Sequence, residues 1–284
     1  MKKITRKFIP GSKWLYIKLY TGIKTADIIL EEAIKPLLEL FKNESLTEKW
    51  FFIRYSDPDP HLRIRFEIPE PDKLGKAIVL IKNYLQEYID SGEISKFIVD
   101  TYQREIERYG ENTMEDAELL FWKSSVSILR EYLHFDDEEK IIVSLFYIDR
   151  TLESLGVPIS EKLRWIKEFN LAFKNEFNAD KKLNSQLDKK YRKFAPKYSE
   201  FVNSNEFLYF RQDIIADVYD NEKIIQNILE HYSSSVQDFF QSIFHMHINR
   251  MFISNQRLFE MVIYDYLFRH YRKLAFKNNL KENK

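Results

Sequence analysis

The chain has 284 residues, no cysteine, and 44 Lys+Arg balanced by 44 Asp+Glu. That length supports a sizeable core in one large domain or two small ones. Zero net charge argues against a general nucleic-acid binder, and the lack of cysteine excludes disulfides, thiol nucleophiles and thiolate metal sites.

The basic start, residues 1–14, is followed by no apolar stretch, so it is not read as a secretory signal. The apolar run Ala77-Ile78-Val79-Leu80-Ile81 is far too short to span a bilayer. A cytoplasmic chain is expected. Residues 14–20 (WLYIKLY) are aromatic and β-branched with loose alternation, which predicts a strand. Residues 24–42 carry apolar positions at helical spacing, with Pro36 predicting a kink or break. Residues 50–55 (WFFIRY) predict a second strand, SDPDP at 56–60 a turn, and 61–68 (HLRIRFEI) a third strand with strict alternation. A helix is predicted near 70–91, closed by Ser91-Gly92, and a fourth strand over 94–102.

That order is β-α-β-β-α-β, the split βαβ or ferredoxin-like arrangement, with both helices on one face of an antiparallel sheet. From about 113 the chain reads as helical. Segments near 113–131, 136–154, 159–175, 178–197, 207–231 and 235–273 are predicted, with loops at VPIS (157–160) and FAPKYS (194–199). The expected fold is α+β: a ferredoxin-like sheet portion over 1–112 and a mostly α-helical portion over 113–284. The helical half is expected to pack on the open sheet face, giving one integrated domain.

Three segments could carry chemistry. Alternation in HLRIRFEI sets Leu62, Ile64, Phe66 and Ile68 on one face, and His61, Arg63, Arg65 and Glu67 on the other. The two arginines then stand side by side on a central strand. Lys18 from the first strand, and Arg54 with Trp50 and Phe52 from the second, are expected to join that face. Guanidinium forks suit carboxylates; a solvated, salt-bridged sheet face is the competing reading. In TYQREIERYGEN (101–112), Glu105 and Arg108 follow the last strand, where an ordinary charged turn is the simpler reading. In SIFHMHINRMF (242–252), His245 and Asn249 share a helix face, and histidine is the natural acid–base residue type near neutral pH. A partly buried histidine hydrogen-bonded to Asn249 explains the same pattern. His247 points elsewhere, so HMH is a poor metal chelate. No P-loop, GxGxxG, GxSxG or HExxH is present. No metal and no cofactor are expected.

Taken together, WLYIKLY, FIRYSDPDPHLRIRF (52–66), TYQREIERYG (101–110) and FHMHINRMF (244–252) resemble the C-terminal elimination domain of lanthipeptide dehydratases. That domain is also met as stand-alone thiopeptide-type bacteriocin biosynthesis proteins. The resemblance runs through almost the whole chain. Two departures stand out: Glu111 follows Gly110 where the family has a second glycine, and Trp122-Lys123 precede Ser124-Ser125 where the family tends to be acidic.

The resemblance implies glutamate elimination from glutamylated Ser or Thr of a precursor peptide, giving dehydroalanine or dehydrobutyrine. The positions matching the family's elimination residues are Arg63, Arg65, Glu105, Arg108 and His245; Arg54, His61 and Asn249 are expected to bind substrate. The implied partners are the precursor peptide, leader plus Ser/Thr-containing core, and a separate glutamyl-tRNA-dependent glutamylation subunit. This chain itself is expected to bind no nucleic acid; a homodimer is left open. Two alternatives stand beside this reading: a pyridine synthase joining two dehydroalanines, and a non-catalytic peptide-binding subunit.

Overall fold

The structure, a computed structural model, describes residues 4–282. The chain packs into two compact units, Met1–His134 with Asn227–Ser254, and Phe135–Gln226 with Asn255–Lys284. Packing therefore does not divide the chain at 112/113: the helical stretch contributes to both units.

The first unit is built on a four-stranded antiparallel sheet of β2 (Trp14–Thr21), β3 (Trp50–Tyr55), β4 (His61–Glu67) and β5 (Ile94–Asp100), in the order β3-β4-β2-β5. A helix precedes β3 and another, α3 (Leu74–Asp90), precedes β5. The first runs as α1 (Thr25–Ile29), one wide π turn (Leu30–Ile34) and α2 (Lys35–Asn43). Pro36 explains the wide turn. Proline offers no N–H to the carbonyl four residues back, and the Lys35 N–H bonds Leu30 O instead, so the helix widens rather than breaks.

Phe41 of α2 meets Phe66 of β4 edge-on, with ring centroids 5.4 Å apart. Leu62, Ile64 and Phe66 therefore face the helices, and alternation turns Arg63 and Arg65 to the opposite face. A two-stranded ribbon, β1 (Lys7–Phe8) with β6 (Tyr102–Gln103), was not evident from the pattern. It separates Tyr102 from β5, so the fourth strand ends at Asp100. The unit is completed by α4 (Ile106–Tyr109), α5 (Met114–Ser127) and α11 (Val236–Met251), with the end of α10 (Glu222–His231).

The second unit is helical: α6 (Asp137–Ser154), α7 (Ile159–Glu176), α8 (Lys181–Asn203), α9 (Leu208–Tyr219) and α12 (Gln256–Glu282). Phe169 and Phe173 of α7 pack on Tyr264 of α12, at 5.3 and 5.4 Å. Asp149 receives Lys162 at 3.0 Å and the Tyr271 hydroxyl at 2.8 Å, which pairs its buried charge.

Three boundaries differ from the pattern-based expectation. FAPKYS is not a loop: Pro196 lies inside α8, held there by the buried stripe Leu187, Phe194, Tyr198 and Phe201. The proline itself is exposed, so the carbonyl it leaves unpaired can meet water. The segment 207–231 breaks between α9 and α10. The last predicted helix breaks at 252–255, where Asn255 adopts a positive φ of 52°. No helix among the described residues is long and apolar enough to cross a membrane.

Candidate functional site

The register between β2 and β4 pairs Tyr16 with Arg65 and Lys18 with Arg63. The register between β3 and β4 pairs Phe51 with Arg65 and Ile53 with Arg63. Arg65 is thus flanked by aromatic residues on both sides. Its guanidinium lies over Tyr16, Tyr102 and Phe51, at 4.4, 4.9 and 5.2 Å from the ring centroids. Only 9% of Arg65 is exposed, and it forms no ion pair among the described residues; its Nε has no hydrogen-bond partner. Burial pushes the guanidinium below its ordinary value, Arg63 adds to that, and Glu105 pulls against it. A desolvated cation in an aromatic cage, without a carboxylate, suits an anion supplied from outside.

The floor of that cage is fixed from below. The Tyr102 hydroxyl donates to Glu118 Oε1 at 2.8 Å, and Arg104 grips the same carboxylate through Nε and Nη2, each at 2.7 Å. Glu118 is fully buried, so the bidentate pair compensates its charge. Sequence reasoning passed over Tyr102, Arg104 and Glu118. A signal existed in Glu118: it falls on the stripe Met114, Phe121 and Ser125 of α5, all buried.

Arg63 is half-buried and stacks on Tyr55, 3.5 Å from the ring centroid. Its Nε donates to His61 Nε2 at 2.9 Å, while His61 Nδ1 lies 2.8 Å from the Asp59 carbonyl. Both ring nitrogens are occupied, so the expected direct role of His61 in binding substrate has no free nitrogen to perform it. Lys18, beside Arg63, is paired with Asp100 at 2.5 Å.

Glu105 and Arg108 sit at α4, joined by an ion pair at 3.2 Å, and both are exposed. Glu105 acts electrostatically on Arg65, which ties this turn to the arginine strand. Gly110 closes α4 at φ 74° and ψ 153°, a conformation open essentially only to glycine. A Cβ there would meet Thr113 Oγ1 at 2.9 Å and the Tyr232 ring at 3.1 Å. Tyr232 in turn donates to the Arg108 carbonyl at 2.9 Å.

His245 is half-buried on α11. The start of that helix packs on α4, with Phe239 5.5 Å from Tyr109. Its end packs on β3, and His245 lies between those two anchors. Burial raises the Tyr109 hydroxyl well above its ordinary value, Glu105 adds to this, and Arg108 opposes it.

Arg54 and Asn249 stand elsewhere than expected. Register puts Phe51, Ile53 and Tyr55 on the arginine face, and Trp50, Phe52 and Arg54 on the helix face. Apart from Arg54 both alternating sets of WFFIRY are apolar, Trp50 and Phe52 against Phe51, Ile53 and Tyr55, so its alternation could not reveal this. Arg54 is buried against Asp27 of α1, at 2.5 Å, and donates from Nε to the Arg250 carbonyl. The Asn249 amide is spent on the Arg54 backbone, with 2.9 Å bonds to its N–H and C=O. Arg250 Nε donates to Phe52 O at 2.8 Å, and the Phe52 N–H reaches Ser125 Oγ at 3.3 Å. Together these side chains close the outer edge of β3. His247 is buried beside Ser124, 3.1 Å from Nδ1 to Oγ. Burial, then Arg250, lowers it to about 3, so it is neutral and inert near pH 7.

The chain is 28% identical to the subtilin biosynthesis protein SpaB of Bacillus subtilis, over 88% of this chain and 25% of SpaB. It is 29% identical to the nisin biosynthesis protein NisB of Lactococcus lactis subsp. lactis, over 58% of this chain and 19% of NisB. It therefore spans a quarter or less of these curated relatives. Among solved structures, the tRNA-dependent lantibiotic dehydratase MibB of Microbispora sp. 107891 shares the fold. The TM-score is 0.68 at 19% identity, over 97% of this chain and 29% of MibB. The thiomuracin pyridine synthase TbtD shares it at TM-score 0.60 and 9% identity, over 92% of this chain and 99% of TbtD. Residues 14–271 match the model of the lantibiotic biosynthesis dehydratase C-terminal family, and the chain belongs to that family.

Proposed function

We propose that this chain eliminates glutamate from glutamylated Ser or Thr in a ribosomally made precursor peptide, leaving dehydroalanine or dehydrobutyrine. The observation that carries this reading is Arg65: a caged guanidinium with no carboxylate paired to it among the described residues, beside Arg63 on the same strand face. The glutamyl adduct has a free carboxylate and an ester that becomes a second carboxylate on leaving. In the elimination a base removes the Cα proton, the Cα–H pair forms the double bond, and the Cβ–O bond breaks to release glutamate. Arg63 and Arg65 would take up the charge that develops on the departing oxygen. Arg108, oriented by Glu105, would hold the other anion, and His245 would move a proton.

The partners in this reading are the precursor peptide and a protein that glutamylates it from glutamyl-tRNA. The reaction is assigned to the first unit, which holds all five residues. Its βαββαβ portion is read as ferredoxin-like, supported by the strand order β3-β4-β2-β5.

The test is mass spectrometry of a glutamylated precursor peptide before and after incubation with the protein. Loss of glutamate with formation of the alkene is expected. Water loss from the unmodified peptide would overturn the reading. A ring product from a peptide already carrying dehydroalanines would favour the pyridine-synthase alternative, whose fold likeness is to TbtD.

A further inference from the structure

We propose that His61 is a positioning residue: in its neutral Nδ1–H form it clamps Arg63 so that only the two terminal nitrogens of the guanidinium meet the substrate carboxylate. For its kinetic consequence, this rests on the elimination reading above. The hydrogen-bond pattern fixes the tautomer. The Asp59 carbonyl can only accept, so His61 Nδ1, 2.8 Å away, carries the hydrogen. Arg63 Nε always carries a hydrogen, so at 2.9 Å His61 Nε2 must be the bare acceptor.

The ring is held on both faces. It stacks on Tyr20 with centroids 4.5 Å apart and leans on Tyr55 at 5.4 Å. Tyr55 also carries the Arg63 guanidinium. With Nε taken, Arg63 has no side-on edge to offer and must meet a carboxylate end-on. That narrows the arrangements open to a leaving group, which is how positioning acts on rate.

A proton on Nε2 would set N–H against N–H and open the clamp. The charged groups around the ring are Lys18 on β2, Asp57 and Asp59 in the turn and Arg63 on β4, with Lys96 of β5 over the Tyr20 ring. Burial lowers the His61 imidazole below its ordinary value, and Arg63 and Lys18 push the same way, against the Asp59 carbonyl and Asp57. The clamp is therefore closed at neutral pH and opens as pH falls through a value below the ordinary ~6.5.

The experiment uses the full chain labelled with 15N-arginine and 15N-histidine. At pH 7.5 His61 is expected as the Nδ1–H tautomer, with slow Nε–H exchange at Arg63. On acidification that protection and kcat/KM on glutamylated peptide should fall with one midpoint. His61→Phe keeps a ring between the two tyrosines but removes the acceptor. It should lose the Arg63 protection, lower kcat/KM about 10- to 100-fold at neutral pH, and lose that acid limb. His61→Gln, which keeps an acceptor oxygen and cannot titrate, should recover part of the rate and also lose the limb. An Nε2–H tautomer, or Arg63 exchange unchanged in His61→Phe or in acid, would overturn the proposal. The wild-type pH series decides this without any variant. Should the wild-type protein release no glutamate, the elimination reading fails, and the tautomer and Arg63 exchange still decide the clamp.

Discussion

The side-chain amide of Asn249 takes the place of a neighbouring strand for Arg54. Its Oδ1 accepts from the Arg54 N–H and its Nδ2 donates to the Arg54 carbonyl, both at 2.9 Å, across 195 residues of sequence. Asn249→Ala leaves two backbone groups without these partners. It should cost about 2–3 kcal/mol, read as a lower denaturant midpoint at unchanged slope. Asn249→Asp should be no better, because its carboxylate would face the Arg54 carbonyl. An altered KM at unchanged stability would instead mark a substrate contact.

Arg65 should show stability and function pulling apart. It has no ion-pair partner among the described residues, so removing its charge leaves no partner carboxylate buried alone. Arg65→Met keeps an apolar side chain against Tyr16, Phe51 and Tyr102. Its Tm should equal or exceed that of the wild type, while elimination slows about 10²- to 10³-fold. Arg63→Ala should show the same kinetic loss, with glutamylated peptide accumulating. Wild-type turnover by either variant would remove the arginines from the reaction.

Gly110 and Gly92 provide a matched pair. Both have positive φ, at 74° and 81°, but a Cβ at Gly92 meets nothing within 4 Å. Gly92→Ala should cost about 1–2 kcal/mol, from backbone conformation alone. Gly110→Ala adds the contacts with Thr113 and Tyr232 and should cost about 3 kcal/mol or more. Because the same turn carries Glu105 and Arg108, kcat/KM should fall in Gly110→Ala and stay unchanged in Gly92→Ala. Thermal denaturation beside steady-state kinetics checks both.

His247 should contribute an acid-side loss of stability. Folded, it takes a proton only near pH 3; unfolded, it takes one near the ordinary ~6.5. Between those values the unfolded state binds more protons, so stability falls as pH drops below ~6.5, by up to about 1.4 kcal/mol per unit from this residue. Above that pH its contribution is flat. Denaturant titrations across pH 4–8 should show His247→Gln with a shallower acid slope than the wild type.

The arginine face was legible because strand alternation is local. Each side chain of HLRIRFE turns to the side opposite its neighbour whatever the rest of the chain does, so Arg63 and Arg65 had to share a face and oppose Leu62, Ile64 and Phe66. Helix content was legible for the same reason, being written in short-range periodicity. The ends of helices were less so. The break at Asn255 and the uninterrupted passage through Pro196 depend on what packs there.

The sequence by itself determined an α+β chain with two arginines on a central strand face, and it resembled the family to which the chain belongs. Tertiary structure alone decided what surrounds those arginines. The face taken by Arg54 follows from strand register, which WFFIRY, with apolar residues in both of its alternating sets, cannot specify. The aromatic cage of Arg65 is gathered from β2, β3 and β6. Closing the β3 edge required Asn249 and Arg250 from the far end of the chain. In each case the deciding partner is distant in sequence, and hydrogen-bond geometry and desolvation act on neighbours in space, which a local pattern cannot name.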